Sequence, residues 1–541
     1  MKYNSANTNS ETLLAQATQS LQENRLDEAT QAFEALIIRH PDIAELHLNL
    51  GVTWRRQNQV EQAILCFQRA LEIDRACLGA HYNLANARRD LGRFEEAEAA
   101  YRNALEVDPA FVDAANNLGE LLSRRNRYDE ACLILNAALI QAPKRAELHN
   151  TLGNALKELG ELETALSHLQ KATECSPDNA VFQKNMGAVQ QALNDWSGAQ
   201  TSYDLAIELD PDDADARCLN AFCLLGQRQF KEGWQAYEWR WHSARQEPKR
   251  PFDYPHWDGA DLRGKTVLVW GEQGIGDEIM FSTTIPDLLK AGAEVVIECR
   301  ERLCNLFRRS FPDARVIARL DPPNRRLSEI GIDVQVPIGS LPRWFRNTPA
   351  AFAQKPSVLK TNSEIRDTIR ARYRSQFPGK ALIGFSWRSG EKQSAPGRSM
   401  ELDDWAQVLN LADSQFISLQ YGDTEDELSA FENNHGICVF RDREIDPAGS
   451  FDLFAAQCAA LDLVVSVANT TVHVAGALGI PTWTLLAEVP DWRWGPRGEK
   501  SLWYPSMELI RQTRRGDWSG VMETVGQRLN QITFRSRSAE R

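Results

Sequence analysis

The chain has 541 residues, 43% of them hydrophobic and 25% charged, with a formal net charge of −13. That length is too great for one hydrophobic core and requires two or three domains, while the acidic balance argues against general nucleic-acid binding, which needs a basic surface. Ten cysteines, none in a C-x-x-C pair and most in apolar stretches, read as buried reduced thiols rather than a disulfide framework or metal cage.

The first residues are polar and lack an apolar signal-peptide core. A period then begins. Alanines stand at 29, 63, 97, 131, 165 and 199, and four positions after each comes Phe33, Phe67, Tyr101, Leu135, Leu169 or Tyr203. Pro41, Pro109, Pro143, Pro177 and Pro211 keep the same 34-residue step. Such a period marks stacked helix–turn–helix units, in which a small residue lets two helices approach, a large one fills the gap and proline ends the second helix. The pattern resembles the tetratricopeptide repeat. Six copies run at roughly 10–43, 44–77, 78–111, 112–145, 146–179 and 180–213, and a degenerate seventh keeps Gly233 and Tyr237, giving a solenoid over 10–242. Its last helix is rich in tryptophan (Trp234, Trp239, Trp241) and is expected to pack against the next domain. Asn49, Asn83, Asn117 and Asn185 recur at the sixth position of their repeats. A ladder of amides there either reads the main chain of an extended peptide or serves the repeat's own packing.

Residues 243–264 carry prolines and charges without a period and are expected to link the solenoid to the rest. Beyond them, strand and helix patterns alternate, as in a parallel α/β sheet. Strands are expected at 266–270, 294–299, 381–386, 416–420, 461–467 and 481–486, with an irregular stretch near 340–380. This divides the region into α/β halves over 265–375 and 376–535. Ligands in such sheets bind beyond the carboxyl ends of the strands. The most apolar stretch, Leu461 to Val489, is interrupted by Ser466, Asn469, Thr470, Thr471 and His473, so no membrane span is expected and the protein reads as cytoplasmic.

The loop Gly271-Glu-Gln-Gly-Ile-Gly-Asp277 directly follows the first strand. Its glycines are spaced G-x-x-G-x-G, not as in dinucleotide binders, and no P-loop lysine follows. A nicotinamide oxidoreductase, which Glu298 at the end of the second strand would suit, fails on that spacing. Asp277 stands where a helix begins, as its cap, as a general base, or as both.

Gly274-Ile-Gly-Asp-Glu-Ile-Met-Phe281 resembles the start of the heptosyltransferase-like glycosyltransferases. The likeness continues through Ile383-Gly-Phe-Ser-Trp-Arg-Ser-Gly390, Arg398-Ser399 and Ser418-Leu-Gln-Tyr-Gly422, and is densest from Leu461 to Trp494. The resemblance implies a two-domain GT-B fold, with an acceptor-side first half and a donor-side second half. It also implies sugar transfer with inversion from a nucleotide-diphosphate donor, and no metal or other cofactor. It makes Asp277 the base, with Gly274, Gly276 and Glu278 in the acceptor-side loop. Donor contacts fall on Ser386, Arg388, Ser389, Arg398, Gln420, Asn469, Thr470, Thr471 and His473. Hydroxyls, guanidinium groups and a helix N-terminus suit phosphate oxygens, although helix capping also accounts for Asn469, Thr470 and Thr471. Trp492 and Trp494 either stack on a ligand ring or pack at the interdomain hinge, and Arg493 offers a further phosphate contact. One departure stands out: the family often has aspartate where this chain has Ala468. The sequence-level reading is a glycosyltransferase acting on a protein hydroxyl held by the repeats, an architecture similar to that of the protein O-GlcNAc transferases. The alternative is a non-catalytic repeat scaffold with a nucleotide-sensing or decayed α/β domain.

Overall fold

The computed structural model describes residues 2–243, 248–352, 357–390, 397–446 and 449–531. Parts of the expected linker (244–247) and of the second half (532–535) lie outside them. The chain forms two compact units, Met1–Leu193 and Asn194–Arg541.

The first unit is all helix, in antiparallel pairs from Lys2–Gln22 and Leu26–Arg39 to Ala180–Ala192. The 34-residue period explains its core. Ala29, Ala63, Ala97, Ala131 and Ala165 are fully buried, and so are Phe33, Phe67, Tyr101, Leu135 and Leu169. The large residue of each pair meets a small one on the partner helix. A Cβ on Gly51 would stand 2.5 Å from the Phe67 ring, and one on Gly119 2.7 Å from Leu135. A second period lies in the turns. Asn24, Asn58, Gly92, Asn126 and Gly160 all have φ between +59° and +84°, the left-handed conformation that ends a helix and that glycine and asparagine tolerate best.

The second unit opens with three more helices of the repeat type, Trp196–Leu209, Ala214–Gly226 and Phe230–Tyr237. Asn194 and Arg228 continue the left-handed turn positions at φ +64° and +65°. Nine strands come next: β1 (Thr266–Trp270), β2 (Glu294–Cys299), β3 (Ala314–Ala318), β4 (Val334–Pro337), β5 (Ala381–Ser386), β6 (Ser414–Ser418), β7 (Leu463–Val467), β8 (Thr482–Leu486) and β9 (Met507–Arg511). They form two parallel sheets in the orders β3-β2-β1-β4 and β6-β5-β7-β8-β9. The chain reverses direction across the sheet between β1 and β4, and again between β5 and β7, and at such switch points crevices open at the carboxyl ends of the strands. The stretch read as irregular holds the helix Ser363–Gln376, started by Asn362, whose side chain accepts from the Glu364 and Ile365 amides. Residues 248–264 do more than connect. The Trp257 amide donates to the Gln335 carbonyl and the Gln335 amide to the Pro255 carbonyl, both at 2.8 Å, so this segment lies along β4. No described helix is long and apolar enough to cross a membrane.

Candidate functional site

The glycine-rich loop leaves β1 and enters the helix Ile275–Ser282. Asp277 is in that helix's first turn, and its Oδ2 accepts from the Gly274 amide at 3.2 Å, so the side chain does cap the helix. The loop is gripped from the side of the last repeat helix. Arg240, 2% exposed, donates from Nε and Nη2 to Glu272 at 3.0 and 2.7 Å, and Glu272 also accepts from the Gly339 amide. Gln273, at φ +62°, donates from Nε2 to the Tyr237 hydroxyl at 2.5 Å. A non-glycine residue in that conformation persists only where surrounding contacts hold it. Glu278 is fully buried beneath the loop. Burial pushes its carboxyl up to about 7, against the Arg300 amide and guanidinium that face it. It therefore supports the loop rather than facing an acceptor. Glu298 is likewise buried and paired with Arg250 at 2.8 Å, which removes it as a ribose contact.

The second half brings another helix, Thr470–Ala477, to the same place. A Cβ on Gly276 would lie 3.2 Å from His473 Cδ2 and 3.6 Å from Thr470 Oγ1. Glycine is thus what allows two helix N-termini, one from each half, to meet. Both direct partial positive charge and amide donors to one spot. A chain of ionic contacts meets there as well, and its first member joins the two halves. Arg493 Nη2 donates to Asp277 Oδ1, Arg493 Nη1 to Asp491 at 2.7 Å, and Arg398 Nη2 to Asp491 at 3.2 Å. Burial would raise the Asp491 carboxyl, but Arg493 and Arg398 hold it below the usual range. His473 is buried, its Nδ1 3.0 Å from the Tyr504 hydroxyl and its ring stacked on Trp494. Burial pushes it down to about 4 despite Asp277 nearby, so the imidazole is neutral at pH 7.

The residues read as donor contacts divide into two groups. Thr470, His473 and Arg398 are at or beside this convergence, and buried Thr471 keeps a hydroxyl with no hydrogen-bond partner. Ser386, Gln420 and Asn469 instead tie the ends of β5, β6 and β7 together. Asn469 Nδ2 donates to Ser386 Oγ at 2.6 Å, and Gln420 Oε1 accepts from the Trp387 and Arg388 amides at 3.1 and 3.0 Å. Asn469 Oδ1 also caps the next helix through the Thr471 amide. The Arg388 guanidinium turns to Glu427 and the Asp423 carbonyl, and the Ser389 amide donates to Ser399 Oγ at 3.2 Å. Trp492 and Trp494 are buried, Trp492 edge-on to Trp234 at 5.6 Å, which makes them packing residues. Arg240, Tyr237, Glu272 and Asp491 carry no sequence motif that singles them out as site residues. The tryptophan-rich run from Phe230 to Trp241 is the available signal for the first two.

In the first unit, the asparagine ladder is tied along its own axis. Asn117 Nδ2 donates to the Tyr82 hydroxyl at 3.1 Å and Asn185 Nδ2 to Asn150 Oδ1 at 2.8 Å, while Thr151, which interrupts the ladder, donates to Asn116 Oδ1 at 2.8 Å. Asn83 bonds back to the Gly79 carbonyl at 2.8 Å. Asn49 is half-buried at the same register.

The tetratricopeptide repeat family matches residues 14–76, 82–146 and 146–179, and the chain carries these repeats. Protein FlbA of Caulobacter vibrioides is 31% identical over an alignment of 325 residues that covers 56% of this chain and 53% of FlbA. The chain thus spans about half the length of that curated relative. Among solved structures, YrrB, a TPR protein with an unusual peptide-binding site, is 26% identical with a TM-score of 0.31, covering 35% of this chain and 97% of YrrB. Pseudomonas aeruginosa pilF is 22% identical with a TM-score of 0.34, covering 38% of this chain and 92% of pilF.

Proposed function

We propose that the chain transfers a sugar from a nucleotide-diphosphate donor to a hydroxyl on a protein held by its repeats. The observation that carries this is the meeting of the Ile275–Ser282 and Thr470–Ala477 helix N-termini at Gly276, with Asp277 at one and Thr470 and His473 at the other. A diphosphate leaving group develops charge as the anomeric bond breaks, and two opposed helix N-termini are preorganised donors for it. Asp277 takes the acceptor proton, the hydroxyl oxygen bonds to the anomeric carbon, and the bonding pair leaves with the nucleotide diphosphate. Arg493, now held by Asp277 and Asp491, turns to the diphosphate as the donor arrives, which frees the base. The repeats supply proximity by holding the acceptor.

Asp277→Asn keeps the helix cap and removes the base. Transfer of a labelled sugar is expected to fall about 10²- to 10⁴-fold with an unchanged thermal midpoint. Unchanged transfer in a folded variant removes Asp277 from the reaction. The scaffold reading draws on Ala468 and on the engaged guanidinium of Arg388. It gains if the native chain turns over none of a panel of nucleotide sugars with candidate acceptor proteins present.

A further inference from the structure

The last left-handed turn of the repeat series departs from the others. Six earlier positions at the 34-residue step hold asparagine or glycine, and the seventh holds Arg228 at φ +65°. A long side chain in that conformation is strained, and strain kept at one site points to a use. Arg228 borders an open depression of about 230 Å³, together with Gly226, Gln227, Pro496, Arg497 and Gly498. It also lines an adjoining one with Lys500. The Arg228 side chain itself makes only a long contact, 3.5 Å, to the Arg497 carbonyl. Close by, Arg511 donates to the carbonyls of Gly498 and Gly495 at 3.0 Å and of Trp494 at 2.9 Å. Those partners are neutral. No carboxylate among the described residues pairs with Arg228, Arg497, Lys500 or Arg511. Burial and the nearby Arg228 charge push Arg511 down to about 10, as expected of a cation without a counterion.

We propose that this depression binds a small phosphate-bearing anion of the diphosphate class. Guanidinium groups present forked donors to phosphate oxygens, and Arg228 and Arg497, which both line the depression without an ion-pair partner among the described residues, are stabilised by a polyvalent anion. The net charge of −13 makes a nucleic-acid backbone the wrong partner. Trp494 stands between this depression and the cleft: its ring stacks on His473 and its carbonyl accepts from Arg511. The site is thus distinct from the helix convergence, and anion binding there would order the loop that carries Arg493.

The test is calorimetric titration of the full chain with inorganic pyrophosphate. Arg228→Asn restores the residue type found at the equivalent turns. Its thermal midpoint is expected to stay level or rise, while one pyrophosphate equivalent weakens at least about tenfold through loss of a charge-assisted contact. Arg497→Ala with Lys500→Ala is expected to weaken the same equivalent. Absence of pyrophosphate binding to the native chain overturns the proposal. So does binding whose affinity and stoichiometry are unchanged in both variants.

Discussion

The repeat unit and the α/β unit solve the burial of polar and charged groups in different ways. In the repeats, polar contacts run between residues a fixed step apart, as in Asn117–Tyr82 and Asn185–Asn150, both 35 residues apart. A defect there is expected to stay local, because each repeat touches only its neighbours. In the α/β unit the decisive contacts are charged: Arg240–Glu272 is nearly inaccessible, and Arg493–Asp277 spans 216 residues of chain. Each buried charge there is held by a few specific partners, Glu272 by Arg240 and the Gly339 amide, and Arg493 by Asp277 and Asp491. Arrays built of near-identical pieces share the load, whereas a cleft concentrates it on a few pairs.

The largest stability effect should come from Arg240→Met, which leaves Glu272 buried without its partner. A loss of about 3–5 kcal/mol is expected for the α/β unit, read as an earlier unfolding transition in calorimetry with the repeat transition unmoved. Adding Glu272→Gln should restore most of it. If the repeat transition falls equally, the two units do not differ in the way described. Gly51→Ala is the matching test in the repeats. Its Cβ would press on Phe67, with an expected cost of about 1–3 kcal/mol confined to the repeat transition, and Phe67→Leu, which copies the Gly119–Leu135 solution, should relieve it.

Acid should separate the units next. His168 in the repeats is pushed down to about 4, by burial first and then by His149. The unfolded chain therefore takes up a proton as pH falls below about 6.5 while the folded repeat does not. Repeat stability should decline by about 1–2 kcal/mol between pH 6.5 and 4, less than the full shift allows because the ring keeps some solvent. In the α/β unit His473, at about 4, works in the same direction. Glu278, at about 7, works the opposite way, because a raised carboxyl loses stability as pH rises through its folded value. The two should nearly cancel between about pH 4.5 and 6.5. Glu278→Gln should unmask the histidine slope in melts across that range. The smallest effect is expected of Asn117→Ala, about 1 kcal/mol in the repeat transition for the lost hydrogen bonds to Tyr82 and Asn86.

Much of the repeat architecture is legible because its contacts repeat in sequence. The pairs of alanine and a bulky residue lie four residues apart on one helix, and helix periodicity alone places them on one face. The turn period at 24, 58, 92, 126 and 160 is equally present. It is hidden from a sequence reading, because asparagine and glycine alternate in it and only the backbone angle shows their equivalence. The first strand of each half, 266–270 and 381–386, agrees with its expected bounds because a buried parallel strand is a plain apolar run. β3, β4 and β9 are absent from the expected strands, and in β9 Glu508 and Arg511 interrupt the run.

By itself, then, the sequence determined the helical period, six of the nine strands and the loop that carries Asp277, all set by spacing within some 35 residues. It also named Asp277, Arg398, Thr470 and His473, which lie at or beside the meeting of the two helix N-termini. Only the tertiary structure decided their roles: that Arg493 reaches Asp277, that Arg388 turns to Glu427, that Asn469 and Gln420 brace strand ends, and that Arg240 holds the glycine-rich loop. The physical reason is the same each time. A charged or amide side chain can satisfy itself with any of several partners, and which one it meets is fixed by how separate elements pack against one another.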